Sequence, residues 1–249
     1  MKFAIVTLFP EMFTALNYSI TGRAIEKNLI TLKYYNPRDF SKDKHRRVDD
    51  KPYGGGPGMV MLAEPLCDAI EKAKTFCHCK TKVIYLTPQG RLLDQTKAKL
   101  LAREKNLILL TGRYEGIDER VINSEVDEEL SIGDYVLSGG ELAAMVMIDT
   151  IVRLLPSALG DEDSAQQDSF MQGLLDYPHY TKPKIFNGQK VPNVLLSGDH
   201  KRIAYWRLKQ ALGRTYLRRP DLLKKRRFTE DEQNLLNEFI NERKIKDEL

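Results

Sequence analysis

The chain contains one tryptophan, four histidines and three cysteines, and neither a GxGxxG turn nor a GxxxxGK[ST] loop. The two missing motifs remove the usual signposts for dinucleotide and nucleoside-triphosphate binding. An odd cysteine count without framework spacing argues against a disulfide scaffold and fits a reducing compartment. Cys77-His78-Cys79 crowds ligand-type side chains together, but sequence neighbours cannot close a tetrahedral site alone. No CxxC or HxxxH elsewhere completes one, so zinc is not expected. No apolar run approaches the roughly 18 residues that a membrane helix needs. Phe3 to Phe9 after Lys2 mimics a short signal peptide, yet Pro10-Glu11 ends it and no A-x-A site follows. The terminal Lys246-Asp247-Glu248-Leu249 is a retention address only for a chain that enters the secretory pathway. The expectation is a cytoplasmic protein that makes no use of a membrane.

What is present reads as an α/β domain followed by something different. Strand-like runs at Phe3–Leu8, Ile30–Asn36, Lys82–Thr87, Leu107–Thr111 and Glu129–Ile132 alternate with helical stretches. The helices are expected at Pro10–Asn28, from Glu64 onward, near Asp94–Glu104 and over Gly140–Leu155. That alternation predicts a parallel sheet with helices on its faces. Polar, acidic residues then predict a linker over 161–175, and residues 176–249 predict a small helical domain. Its helices are expected at Gly198–Leu217 and Thr229–Lys244, with Tyr177–Val194 irregular. Charge divides along the same line. From Asp176 to the end there are 17 lysines and arginines against 10 acidic residues, although the whole chain carries only +4. Such asymmetry fits a polyanion partner or a solvated helical surface.

Three glycine-bearing turns each follow an apolar run: Tyr85–Arg91 (YLTPQGR), Thr111–Gly116 (TGRYEG) and Ser131–Glu141 (SIGDYVLSGGE). Glycine allows close approach to main-chain donors and acceptors. Side by side, three such turns would make one pocket of backbone atoms for a small cofactor.

These turns, with SKDKHRRVDDKPYGGGPGM, the DSF of Asp168–Phe170, LLDYPHYTKP and WRLKQALGRTYLRRPDLL, resemble the bacterial tRNA (guanine-N(1))-methyltransferases, the TrmD family of the SPOUT class. The resemblance runs from the first strand to near Leu223. It implies a deep trefoil knot in the α/β domain, a homodimer with the active site at the subunit interface, and S-adenosylmethionine as methyl donor. By the same resemblance the cofactor pocket is lined by Tyr85, Leu86, Pro88, Gly90, Gly112, Arg113, Gly116, Ile132, Gly133, Tyr135, Leu137 and Gly140. Magnesium enters as a cofactor on the family's account, without a ligand set.

Methylating guanine at ring nitrogen 1 removes a proton and spreads negative charge onto the adjacent carbonyl oxygen. The reaction therefore needs a base at the nitrogen and a cation near the oxygen. The resemblance assigns these to Asp168 and Arg153. Gln166-Gln167 stand where family members commonly carry acidic residues. For the tRNA anticodon stem-loop, the expected contacts are Lys44, Arg46, Asp50, Tyr53, Gly55 and Gly58 around the GGGPG loop. Arg207, Arg214, Arg218 and Arg219 follow on the basic helix. Trp206 is expected to anchor the small domain's core, with stacking on a base as the alternative. The competing readings are a SPOUT enzyme with another RNA target and a non-catalytic RNA-binding module.

Overall fold

The structure, a computed structural model, describes residues 1–78, 81–160, 168–224 and 226–247. The chain divides into two compact units, Met1–Asp161 and Glu162–Leu249.

In the first unit, five parallel strands form one sheet: β1 (Lys2–Val6), β2 (Thr31–Tyr35), β5 (Lys82–Leu92), β6 (Asn106–Thr111) and β7 (Glu128–Ser131), in the order β2-β1-β6-β5-β7. A short ribbon of β3 (Asp49–Asp50) and β4 (Val60–Met61) closes the GGGPG loop. Strand side chains alternate between two cores. Phe3, Ile5, Ile84, Leu86, Leu107 and Leu109 face one, and Ala4, Val6, Val83, Tyr85, Ile108 and Leu110 face the other. Burial on both faces is why these strands read as unbroken apolar runs. Helices α1 (Ser19–Glu26), α3 (Gln95–Leu101) and α5 (Glu141–Val152) cover the first face, and α2 (Ala63–Cys77) and α4 (Glu119–Glu125) cover the second.

Two elements differ from the sequence reading. Pro10–Asn28 is not one helix: a 3-10 segment, Pro10–Asn17, stops where Ser19 turns to φ 57°, and α1 starts there. Gly22 permits the break, because a Cβ there would lie 2.3 Å from the Asn17 carbonyl oxygen. The other difference is in β5, which does not end at Thr87 but runs on through YLTPQGR to Leu92. Leu86 and Arg91 both align with Leu130 of β7, so residues 87–90 form an excursion between two stretches of the same pairing. The excursion returns at Gly90, whose hypothetical Cβ would stand 2.4 Å from the Leu130 backbone nitrogen.

The second unit is built around α6 (His200–Arg218), α7 (Pro220–Lys224) and α8 (Glu230–Asp247). Its core is Leu174, Ala211, Leu212, Leu223, Leu235 and Leu236. Trp206 is not among them: it is half-buried and lies against Tyr180, ring centroids 6.3 Å apart, which corrects its expected role as core anchor. The core of this unit is made of leucines and one alanine, and the indole packs against Tyr180 instead. Residues 168–175 are not loose linker either. Leu174 enters the core, Leu175 N–H donates to Thr215 Oγ1 at 2.8 Å, and Phe170 N–H donates to the Leu174 carbonyl at 2.7 Å. The preceding residues 161–167 lie outside the described residues, with Gln166 and Gln167 among them, as do Cys79, Glu248 and Leu249. Tyr177–Val194 is not wholly irregular, since β8 (Ile185–Phe186) and β9 (Gln189–Lys190) pair antiparallel across Asn187-Gly188. Both turn residues have positive φ, the requirement of a two-residue hairpin.

Replacing Gly90 by Ala should lower unfolding stability by about 1–3 kcal/mol, the usual cost of forcing atoms into a packed interior. The control is Gly160→Ala, where a Cβ meets nothing within 4 Å, and its change should stay within about 0.5 kcal/mol. Urea midpoints check both, and equal stability of the two variants would contradict the packing at Gly90.

Candidate active site

The excursion within β5 meets the turns that follow β6 and β7 at one end of the sheet, the end where the C-termini of β6 and β7 lie and where parallel sheets bind ligands. They enclose a cavity of about 480 Å³, within the roughly 300–1,000 Å³ range of small-molecule sites. Tyr85, Leu86, Pro88, Gly112, Arg113, Gly116, Ile132, Gly133, Tyr135, Leu137 and Gly140 all line it, whereas Gly90 does not. The missing glycine has its own reason: it packs against β7 backbone rather than facing open space. Gly140 serves similarly, since a Cβ there would meet Thr111 Cα at 2.9 Å, and its N–H donates to the Gly112 carbonyl at 3.0 Å. At these two positions chain approaches chain, where the sequence suggested ligand approach to chain.

Local hydrogen bonds fix each wall. Ser131 Oγ exchanges bonds with Gly133, accepting from its N–H and donating to its carbonyl, both at 3.1 Å. The Tyr135 hydroxyl donates to the Ile132 carbonyl at 3.1 Å. Glu115 N–H donates to the Met59 carbonyl at 3.0 Å, and Met61 N–H donates to the Gly116 carbonyl at 3.0 Å. The GGGPG loop is thereby tied to the TGRYEG turn. Gly58 lies so close that a Cβ would strike the Glu115 side chain. Burial holds the Tyr85 phenol above its ordinary range, with Glu129 adding to the effect, so the hydroxyl stays protonated.

The electrostatics of the cavity go beyond the sequence reading. Glu115, Glu119 and Glu129 line it, against one cation among the described residues, Arg113. That arginine is held by a fully buried carboxylate, Glu141, at 2.9 Å. It also donates to the Ser138 carbonyl at 3.1 Å and lies 4.5 Å over the Phe9 ring. Glu141 sits in GELAAMVMI, and an acid followed by seven apolar residues at a helix start is the signal that the sequence offers for it.

The remaining expected residues are distributed as follows. Arg153, half-buried, is the C-cap of α5 in the first unit, and Asp168 belongs to the second. There Asp168 borders a cavity of about 370 Å³ with Gln172, Asp176, Tyr177 and Arg207. Arg207 stacks at 4.8 Å over Tyr177. Arg219 is paired with Asp221 at 2.8 Å, Arg218 is exposed and Arg214 is half-buried. Around the GGGPG loop, Lys44 and Asp50 are exposed and Tyr53 is fully so, while a Cβ on Gly55 would meet nothing within 4 Å. The basic run there is largely committed internally: Lys42 pairs with Glu64, Arg46 with Asp39, and Arg47 with Asp43 at 3.1 Å. Hydrogen bonding from Arg47 pulls the Asp43 carboxyl down to about 2. Among the described residues no group of three or more His, Cys, Asp or Glu side chains could hold a metal ion, and no helix is long and apolar enough to cross a membrane.

Helix α4, which follows the TGRYEG turn, is anchored by Asp118. Its carboxylate accepts from the Arg120 N–H at 2.9 Å and from the Arg120 guanidinium at 2.6 Å. The guanidinium bond chiefly brings this carboxyl from 3.8 to about 2. A depressed carboxyl stabilises the fold fully above its unfolded value and loses that contribution as pH falls through the folded one. Asp118→Ala should therefore cost about 1 kcal/mol near neutrality, as loss of a helix cap does. The deficit in urea midpoint should shrink between about pH 5 and about pH 2, and a pH-independent deficit would contradict it.

Residues 1–225 match the family described as tRNA (Guanine-1)-methyltransferase TrmD. A tRNA (guanine-N(1)-)-methyltransferase of Photobacterium profundum is 58% identical over 241 residues, covering 96% of this chain and 97% of that protein. One from Coxiella burnetii is 60% identical over 238 residues, covering 96% and 97%. One from Vibrio campbellii is 56% identical over 243 residues, covering 97% and 98%. With a family match over most of its length and relatives this similar end to end, the chain belongs to the TrmD family of tRNA (guanine-1)-methyltransferases.

Proposed function

We propose that this tRNA methyltransferase acts on the guanosine at tRNA position 37, beside the anticodon, and takes its methyl group from S-adenosylmethionine. The observation that carries the reading is the cavity made by three turns and lined by Glu115, Glu119 and Glu129. Those carboxylates suit a cofactor whose reactive centre is a cation. When bound, the cofactor supplies a methyl group on a positively charged sulfur. Backbone groups of Gly112–Gly116 and Ile132–Gly140 would hold it, and Tyr85 and Leu137 would pack its apolar parts.

Asp168 accepts the proton of guanine nitrogen 1, and Arg153 stabilises the charge that develops on the neighbouring oxygen. Placing methyl and nitrogen in line accounts for much of the acceleration. The target base lies out of its stack, as an anticodon loop allows at little cost. Arg207, Arg214, Arg218 and Arg219 hold the anticodon stem by its phosphates, and the GGGPG loop with Lys44, Arg46, Asp50 and Tyr53 meets the loop. A knotted path is supported by the tight crossings of Gly90 on β7 and of Gly140 on β6. A homodimer with the active site at its interface is supported by Leu142 and Val146 of α5 and Val136 before it, all exposed apolar side chains. Cytoplasmic location follows from a tRNA substrate.

Unmodified tRNA transcripts incubated with labelled cofactor and mapped by primer extension should give an arrest at position 37. An arrest at another nucleotide would overturn the substrate assignment. Asp168→Ala should lower kcat by about 100-fold or more, the contribution of a general base, with cofactor affinity unchanged by calorimetry. A variant as active as the parent would remove Asp168 from that role. Replacing Arg214 and Arg218 together by Ala should reduce the slope of log affinity against log salt by about 1–2, one unit per lost phosphate contact. An unchanged slope would move the RNA contact elsewhere.

A further inference from the structure

Glu141 has no solvent exposure, the one acidic side chain among the described residues of the first unit's core, and it opens a mostly apolar helix. Its first oxygen accepts from Thr7 Oγ1 at 2.9 Å. Thr111 Oγ1 lies 3.4 Å from the same oxygen, but its one proton goes to the Val6 carbonyl at 2.9 Å. The second oxygen sits 2.9 Å from Arg113 Nε without an aligned hydrogen bond. The contact is therefore one of charge with charge. A buried carboxylate costs several kcal/mol of desolvation unless compensated, and here the compensation is an arginine that forms part of the cavity wall. Seen from the cavity, Arg113 is the lone cation among the described lining residues, and Glu141 cancels it from behind.

We propose that Glu141, acting through Arg113, keeps the cavity electrically suited to a sulfonium and so sets its preference for the methyl donor over the demethylated product. Glu141 is a positioning residue that touches no ligand. The inference rests on the assignment of S-adenosylmethionine as cofactor. Donor and product differ by one methyl group and by the positive charge on sulfur; the product's thioether is neutral. An uncompensated guanidinium in the wall repels the first and leaves the second nearly unaffected, because Coulomb repulsion acts only between charges. A merely structural role for Glu141 would weaken both alike.

The test is calorimetric titration of S-adenosylmethionine and S-adenosylhomocysteine into the full-length protein, the Glu141→Gln variant and the Arg113→Gln variant. Glu141→Gln should weaken the donor by about tenfold, while product affinity stays within about twofold. Arg113→Gln, which removes the cation and keeps the carboxylate, should move the donor-to-product ratio the opposite way. This second variant decides the matter if the first fails to fold. Equal losses for both ligands, or a ratio unmoved in both variants, would overturn the proposal while leaving the cofactor assignment intact. Wild-type protein that binds neither ligand would overturn the assignment itself.

Discussion

The site depends on chain passing chain at distances that only a residue without a side chain allows. At Gly90 the excursion of β5 returns against the backbone of β7, and at Gly140 the start of α5 passes the end of β6. Both contacts replace water with packed main chain, and both place a turn over the same sheet end. The cavity is the space left between these crossings. Its shape is set by backbone that cannot shift without undoing the strand pairing behind it.

Charge complements that geometry. Three carboxylates on the lining and one neutralised arginine make an environment in which a cation is welcome. The second unit carries the opposite bias, with 11 basic and 2 acidic residues between Gly198 and Phe228. One chain thus combines a cavity with an acidic lining in one unit and a stretch rich in basic residues in the other. That division matches a reaction between a small cationic donor and a large polyanionic acceptor.

Much of this is legible in the sequence because the strongest signals are local. Unbroken apolar runs such as Leu107–Leu110 declare strands buried on two faces, and the turns that follow them declare the sheet end at which the cavity forms. What escapes a sequence reading is set by long-range contact. YLTPQGR looks like the end of a strand, and only its pairing with Leu130 on both sides makes it an excursion within one. Glu141 reads as a helix-start acid, as it is, yet its burial depends on Thr7 and Arg113, which are remote in sequence. Asn187-Gly188 carries a hairpin signal that the surrounding Pro, Tyr and Lys mask. Trp206 departs from expectation because an indole is usually worth burying, whereas here five leucines and an alanine make the core and the indole lies against Tyr180.

The central claim is that Thr87–Gln89, Gly112–Gly116 and Ile132–Gly140 form one cofactor site. Amide hydrogen exchange with and without S-adenosylmethionine tests it most directly. The predicted result is increased protection in all three turns together, with β8–β9 unchanged. Protection confined to one turn, or appearing only in the second unit, would contradict it.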